Sequence, residues 1–198
     1  MSKVILSLFD YTGNWPRPYA KKGYKVFLVD VKHGGDVRDF ASIVEACPTV
    51  HGILAAPPCT HFAVSGARHW AEKDRDGRTE ENIELVLATL DLIRHYEKCG
   101  LAWWALENPV GRINKLIPSL GKPLLSFDPC DYGDPWTKKT LLWGRFNTNL
   151  KKSPVEPVKT ATGHSLISGA YGGKSERTKE ARSATPMGFA RAFCEANP

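Results

Sequence analysis

The segment Gly52-Ile-Leu-Ala-Ala-Pro-Pro-Cys59 carries an apolar run into two prolines and ends on a thiol. Proline fixes φ and removes a backbone donor, so the pair both stops the strand and stiffens the chain leading to the cysteine. A thiol presented in this way becomes a nucleophile when nearby cations or a helix N-terminus favour its thiolate. The residue type alone also suits an ordinary small buried side chain, and context has to decide between the two. A second chemical group closes another apolar run, Leu101-Ala-Trp-Trp-Ala-Leu-Glu107-Asn-Pro109. A carboxyl at such a strand end can give or take a proton beside a thiol. Further polar or turn-forming residues, with their apolar neighbours, follow other apolar runs: Phe9, Asp10, Thr12 and Gly13 after the first, Asp30 and Val31 at the end of the second, and Asp36 and Val37 in a turn beyond it.

The elements that would position these groups alternate along the chain. Apolar runs at 4–9, 26–31, 51–56, 101–106 and 140–143 predict buried strands. Helices are expected at 18–22, at 39–46 with Asp39 as its cap, at 79–100 and at 188–196. This rhythm implies an α/β domain with a mostly parallel central sheet and helices on both faces. Ligands bind outside the carboxyl ends of the strands in such sheets, where the polar residues named above gather.

At 198 residues the chain suits one core, and residues 1–198 are read as a single domain. No apolar run approaches the roughly 20 residues of a membrane span, and the N-terminal run carries no small-residue cleavage signature, so a cytoplasmic protein is expected. Five cysteines with no C-x-x-C pair argue against a disulfide framework and a zinc module, and no metal is expected. The formal charge of +6 favours a polyanionic partner. Lys138, Lys151, Lys152, Arg177 and Arg182 are basic residues that such a partner could meet, and Trp15, His61, Trp70 and Trp136 are aromatic side chains that could stack on a ligand or fill space. Residues 147–182 hold a stretch rich in Gly, Ser, Thr and Lys with little apolar periodicity, read as an insertion.

Pro57-Pro58-Cys59 with Phe62 and Ser65-Gly66 resembles the catalytic motif of the DNA cytosine-5 methyltransferases. Other segments resemble that family's motifs in the family's order: Leu8-Phe-Asp-Tyr-Thr-Gly13, Gly35-Asp-Val37, Glu107-Asn-Pro109, Gly133 to Phe146 and Ser183 to Phe193. Departures are Tyr11 for a glycine, Pro109 for a valine, Lys138 and Lys139 for arginines, and Ser183 for an asparagine.

The resemblance implies a Rossmann-like S-adenosylmethionine-dependent methyltransferase fold and methylation of cytosine C5 in DNA. Cys59 would be the nucleophile, Glu107 the group that binds cytosine N3, and Lys139 the contact to O2. Phe9, Asp10, Thr12, Gly13, Asp30, Val31, Asp36, Val37, Pro57 and Ser183 would line the cofactor site. The base must leave a duplex stack for this chemistry, at a cost of a few kcal/mol. Residues 147–182 stand where the family carries a target-recognition region and are too few for an independent core. The implied alternatives are therefore action with a partner protein, methylation of RNA or a free cytosine nucleotide, or a non-catalytic binding protein retaining the fold.

Overall fold

The computed structural model describes residues 2–161, 163, 165, 167 and 176–198, without the side chains of Glu176, Arg177 and Lys179. Six strands form one sheet: β1 Val4–Leu8, β2 Lys25–Val29, β3 Gly52–Ala55, β4 Trp103–Pro109, β5 Leu125–Phe127 and β6 Thr140–Arg145. Their spatial order is β2-β1-β3-β4-β6-β5. The pairings among β2, β1, β3 and β4 are parallel, and β6 runs antiparallel to both of its neighbours.

Side-chain alternation on the strands feeds two cores, and this is why the runs read as continuously apolar. Leu6, Leu8, Ile53, Ala55, Leu106 and Trp143 face one layer, with Ile43 of α2 (Phe40–Ala46) and Val86, Leu90 and Ile93 of α4 (Arg78–Lys98). Ile5, Leu54, Trp103, Ala105 and Leu142 face the other, with Tyr19 of α1 (Arg17–Lys21) and Phe189 and Phe193 of α7 (Met187–Ala196). Helices thus cover both faces, as the sequence pattern predicts, and the domain is an α/β, Rossmann-like sheet. Shorter helices are α3 (Trp70–Arg75), α5 (Ile113–Leu116) and α6 (Glu176–Ser183). No helix among the described residues is long and apolar enough to cross a membrane.

The chain leaves β1 toward one edge, forms β2, and returns to lay β3 on the opposite side of β1. A reversal of this kind marks the crevice where ligands bind in such sheets, beyond the carboxyl ends of β1 and β3. Two sequence expectations differ from the structure here. The strand expected at 101–106 continues through Pro109, because reversed β6 pairs Glu107 with Leu142, Asn108 with Leu141 and Pro109 with Thr140. Glu107 therefore stands within a paired strand rather than beyond its end. Strand β5, only three residues long, was not expected from the apolar pattern and exists by pairing with β6.

Candidate active site

The loop after β1 is organised by one buried carboxylate. Asp10 accepts from the Thr12 hydroxyl at 2.7 Å and from the Trp15 N–H at 3.0 Å. Phe9 adopts φ 61°, a left-handed conformation costing a non-glycine residue about 1–3 kcal/mol. Its N–H donates to the Val29 carbonyl at 2.8 Å, tying the start of the loop to β2. Gly13, at φ 62°, completes the turn and donates to the Asp10 carbonyl. Asn14 reaches the Thr185 carbonyl at 3.3 Å, which joins this loop to the segment before α7.

At the end of β2, Asp30 accepts from the Lys32 N–H through Oδ1 at 2.9 Å. Val31 projects largely into solvent. Asp36 is gripped by Arg38, whose guanidinium holds that carboxyl below the usual carboxylate range. Val37 is 3% exposed and packs in the core with Ile43. Its side chain faces the interior rather than the crevice.

Adjacent β3 and β4 bring the thiol and the carboxyl together. Ala55 pairs with Leu106, so Glu107 begins where β3 ends. The fully buried Asn108 amide donates to the Pro57 carbonyl at 3.0 Å and anchors the Pro-Pro turn to β4. Burial pushes the Cys59 thiol above its ordinary pKa and the charge of Glu107 adds to this, while Lys138 and Arg182 oppose it. Burial likewise raises the Glu107 carboxyl, against Lys138. The Lys138 ammonium lies 4.0 Å from Glu107 Oε1 and donates to the Arg182 carbonyl at 3.2 Å.

Beside Glu107 is a recess of about 10 Å³ lined by Phe127, Lys138, Ser183, Thr185 and Phe189 among others. That is room for about one water. Ser183 itself donates to the Glu180 carbonyl at 3.0 Å.

Lys138 and Lys139 part at this point. Lys139 pairs with Asp128 at 2.9 Å, and Asp128 raises its pKa. It is Lys138 that stands at Glu107. Alternation sends adjacent side chains to opposite sides, and the side each takes depends on how the chain enters reversed β6.

Lys151 is exposed, Lys152 lies 3.7 Å from Asp131, and Arg182 is exposed at the end of α6. The Arg177 side chain lies outside the described residues. Trp15 is buried against Phe189 and Phe193, so it belongs to the core and does not stack on a ligand. Burial and the cations Lys73, Arg78 and Arg112 lower the His61 pKa, favouring the neutral ring. Phe127, Phe189 and Thr185 carried no chemical signal in the sequence, because they reach the recess only through β5 and the packing of α7.

No family model matches the chain, and no curated protein matches it. Among solved structures, it is similar to a protein described as a DNA modification methyltransferase encoded within a prophage (E. coli). That match has 16% identity and TM-score 0.49, and covers 88% of this chain and 56% of the other. It is also similar to a triply substituted Spodoptera frugiperda DNMT2, at 18% identity and TM-score 0.48, over 81% of this chain and 56% of the other. The chain spans a little over half the length of each. Neither likeness bears on substrate or mechanism, which the site's own residues must carry.

Proposed function

We propose that the chain transfers a methyl group to C5 of cytosine in DNA through a covalent Cys59 adduct. The observation that carries this reading is the convergence of a partly buried thiol just beyond β3 and a partly buried carboxyl on adjacent β4, with Lys138 beside them. Burial favours the protonated form of Glu107, which suits hydrogen bonding and proton donation at cytosine N3. That interaction makes C6 electrophilic. Cys59 attacks as the thiolate, which has given its proton to water and is stabilised by Lys138 and Arg182. The S–C6 bond forms as the C5–C6 π pair shifts toward C5 and N3 takes the Glu107 proton. C5 gains the electron density to take a methyl group. Water takes the C5 proton as the S–C6 bond breaks, and N3 returns its proton to Glu107, which restores the ring and the thiolate.

S-adenosylmethionine, when bound, supplies the electrophilic methyl group. The crevice suits such a molecule at two points. The tight Phe9–Gly13 turn brings backbone to the end of β1, and the Asp30 carboxylate at the end of β2 would accept from a ribose hydroxyl. Asp10 and Thr12 hold the turn, the exposed Val31 offers an apolar surface beside Asp30, and Pro57 and Ser183 would complete the cofactor contacts. Asp36 and Val37 stand farther from this role, one gripped by Arg38 and one packed in the core. Lys138 is the cation placed to reach the base beside Glu107, with Lys139 held on Asp128. Lys151, Lys152, Arg177 and Arg182 would meet phosphates.

The test supplies labelled methyl donor with DNA, RNA or dCMP to the wild-type protein and to Cys59→Ser. Transfer to DNA cytosine that disappears in Cys59→Ser supports the proposal. Transfer to RNA or dCMP alone moves the substrate to the alternative class, and transfer that survives Cys59→Ser rules out this mechanism. DNA binding without transfer, or without trapping by 5-fluorocytosine DNA, favours a non-catalytic binding protein.

A further inference from the structure

The four carbonyls that begin at the thiol are all engaged, two of them by cationic side chains from different parts of the fold. Cys59 O accepts from the Phe62 and Ala63 N–H groups at 3.0 and 2.9 Å. Thr60 O accepts from Lys73 Nζ at 2.6 Å. His61 O accepts from Arg112 Nε at 3.0 Å, and Phe62 O from the Arg112 N–H at 2.9 Å.

Arg112 is held from behind, and Lys73 is nearly buried. Lys73 is 7% exposed on α3, although lysine is seldom fully buried without a partner. Arg112 follows β4 five residues after Glu107. It forks onto Asp74 of α3 at 2.7 and 2.6 Å, and its guanidinium lies 4.6 Å over the Trp70 ring. A Cβ on Gly111 would overlap the Phe62 carbonyl, so the two chains meet backbone to backbone. Val64 N–H donates to the Val110 carbonyl at 3.0 Å on the same seam.

We infer that Arg112 and Lys73 are positioning residues that clamp the turn carrying Cys59, with Asp74 and Trp70 as the seat of the clamp. The inference rests on Cys59 as the nucleophile proposed above. Helix α3 and the chain leaving β4 grip successive carbonyls of one turn, so the direction of the thiol is set relative to Glu107 by a shared strand end rather than by its own loop. A charge-assisted hydrogen bond gives more directional hold than a neutral one, which suits a turn that must keep its aim while a base enters. Burial, Lys138, Glu107 and Arg182 are the leading influences on the Cys59 pKa, and the clamp is assigned a geometric role.

The experiment uses the full chain and alkylation by iodoacetamide, read at each cysteine by peptide mass spectrometry across pH. Cys47 and Cys194 are buried away from the turn and report global loosening. In Arg112→Met and Lys73→Met, Cys59 is expected to alkylate about tenfold faster or more, consistent with losing a hydrogen bond to a charged group. Cys47 and Cys194 should keep their rates, and the pH midpoint of Cys59 should stay in place. Trapping by 5-fluorocytosine DNA should slow by a similar factor. Arg112→Lys should recover part of both effects, and Asp74→Asn, at an exposed partner, tests the seat without emptying the buried site.

Unchanged Cys59 alkylation in the Arg112 and Lys73 variants and in Asp74→Asn overturns the inference. So does a rise shared equally by Cys47 and Cys194. If the wild-type protein neither traps nor methylates cytosine, the functional reading fails while the alkylation pattern still judges the clamp.

Discussion

Lys138→Met isolates the electrostatic coupling at the centre of the site. The ammonium lies 4.0 Å from Glu107 Oε1, with side chains 25% and 16% exposed. Two unit charges at that separation interact by about 1 kcal/mol in bulk water and about 4 kcal/mol at an effective dielectric of 20. The partial burial of both groups places the pair between these limits. Removing the cation disfavours each anionic form it faces, so the titration midpoints of Glu107 and of Cys59 must both rise. Carbon-13 NMR of the Glu107 carboxyl reads the first midpoint, and the pH profile of Cys59 alkylation reads the second. Because burial already favours the thiol, a further rise leaves less thiolate at neutral pH. Trapping by 5-fluorocytosine DNA should therefore slow, with its acid limb moved to higher pH. A Glu107 midpoint that stays in place or falls would refute the coupling, whatever happens to activity.

Glu107→Gln tests burial of the carboxyl by stability. Its folded pKa is raised, so the carboxyl favours the fold below the unfolded value of about 4.3, and that contribution is lost as pH rises through the folded value. Thermal melts should show Glu107→Gln gaining on the wild type at neutral pH but not below pH 4, while cytosine trapping is lost. Asp10→Ala removes the acceptor of the buried Trp15 N–H and should cost about 1–3 kcal/mol in urea unfolding, with the Thr12 turn loosened. Gly111→Ala forces a methyl group into the Phe62 carbonyl and should destabilise by about 1–3 kcal/mol, with Cys59 alkylation altered, in equilibrium unfolding and peptide mapping.

Local pattern carried much of the architecture. The apolar runs at β1, β2 and β3 and the helical spacing of Val86, Leu90 and Ile93 need only near neighbours to be read, because burial on both faces demands continuous apolar strands. The positions of Cys59, Asp30 and the Phe9–Gly13 turn at strand ends follow from where those runs stop.

The direction of β6 was not legible, because an apolar strand reads the same either way until its partner is known. That direction extends β4 through Glu107, creates β5 by pairing, and puts Lys138 rather than Lys139 at the carboxyl. Val37 likewise looked available for a ligand beside Asp36, yet α2 packs it into the core. The sequence by itself determined the chemical groups and the strand ends that present them, since residue type and local period set both. Tertiary structure alone decided which cation meets Glu107 and what grips the turn at Cys59, because those contacts join segments far apart in the chain through the pairing of a reversed strand and the docking of α3.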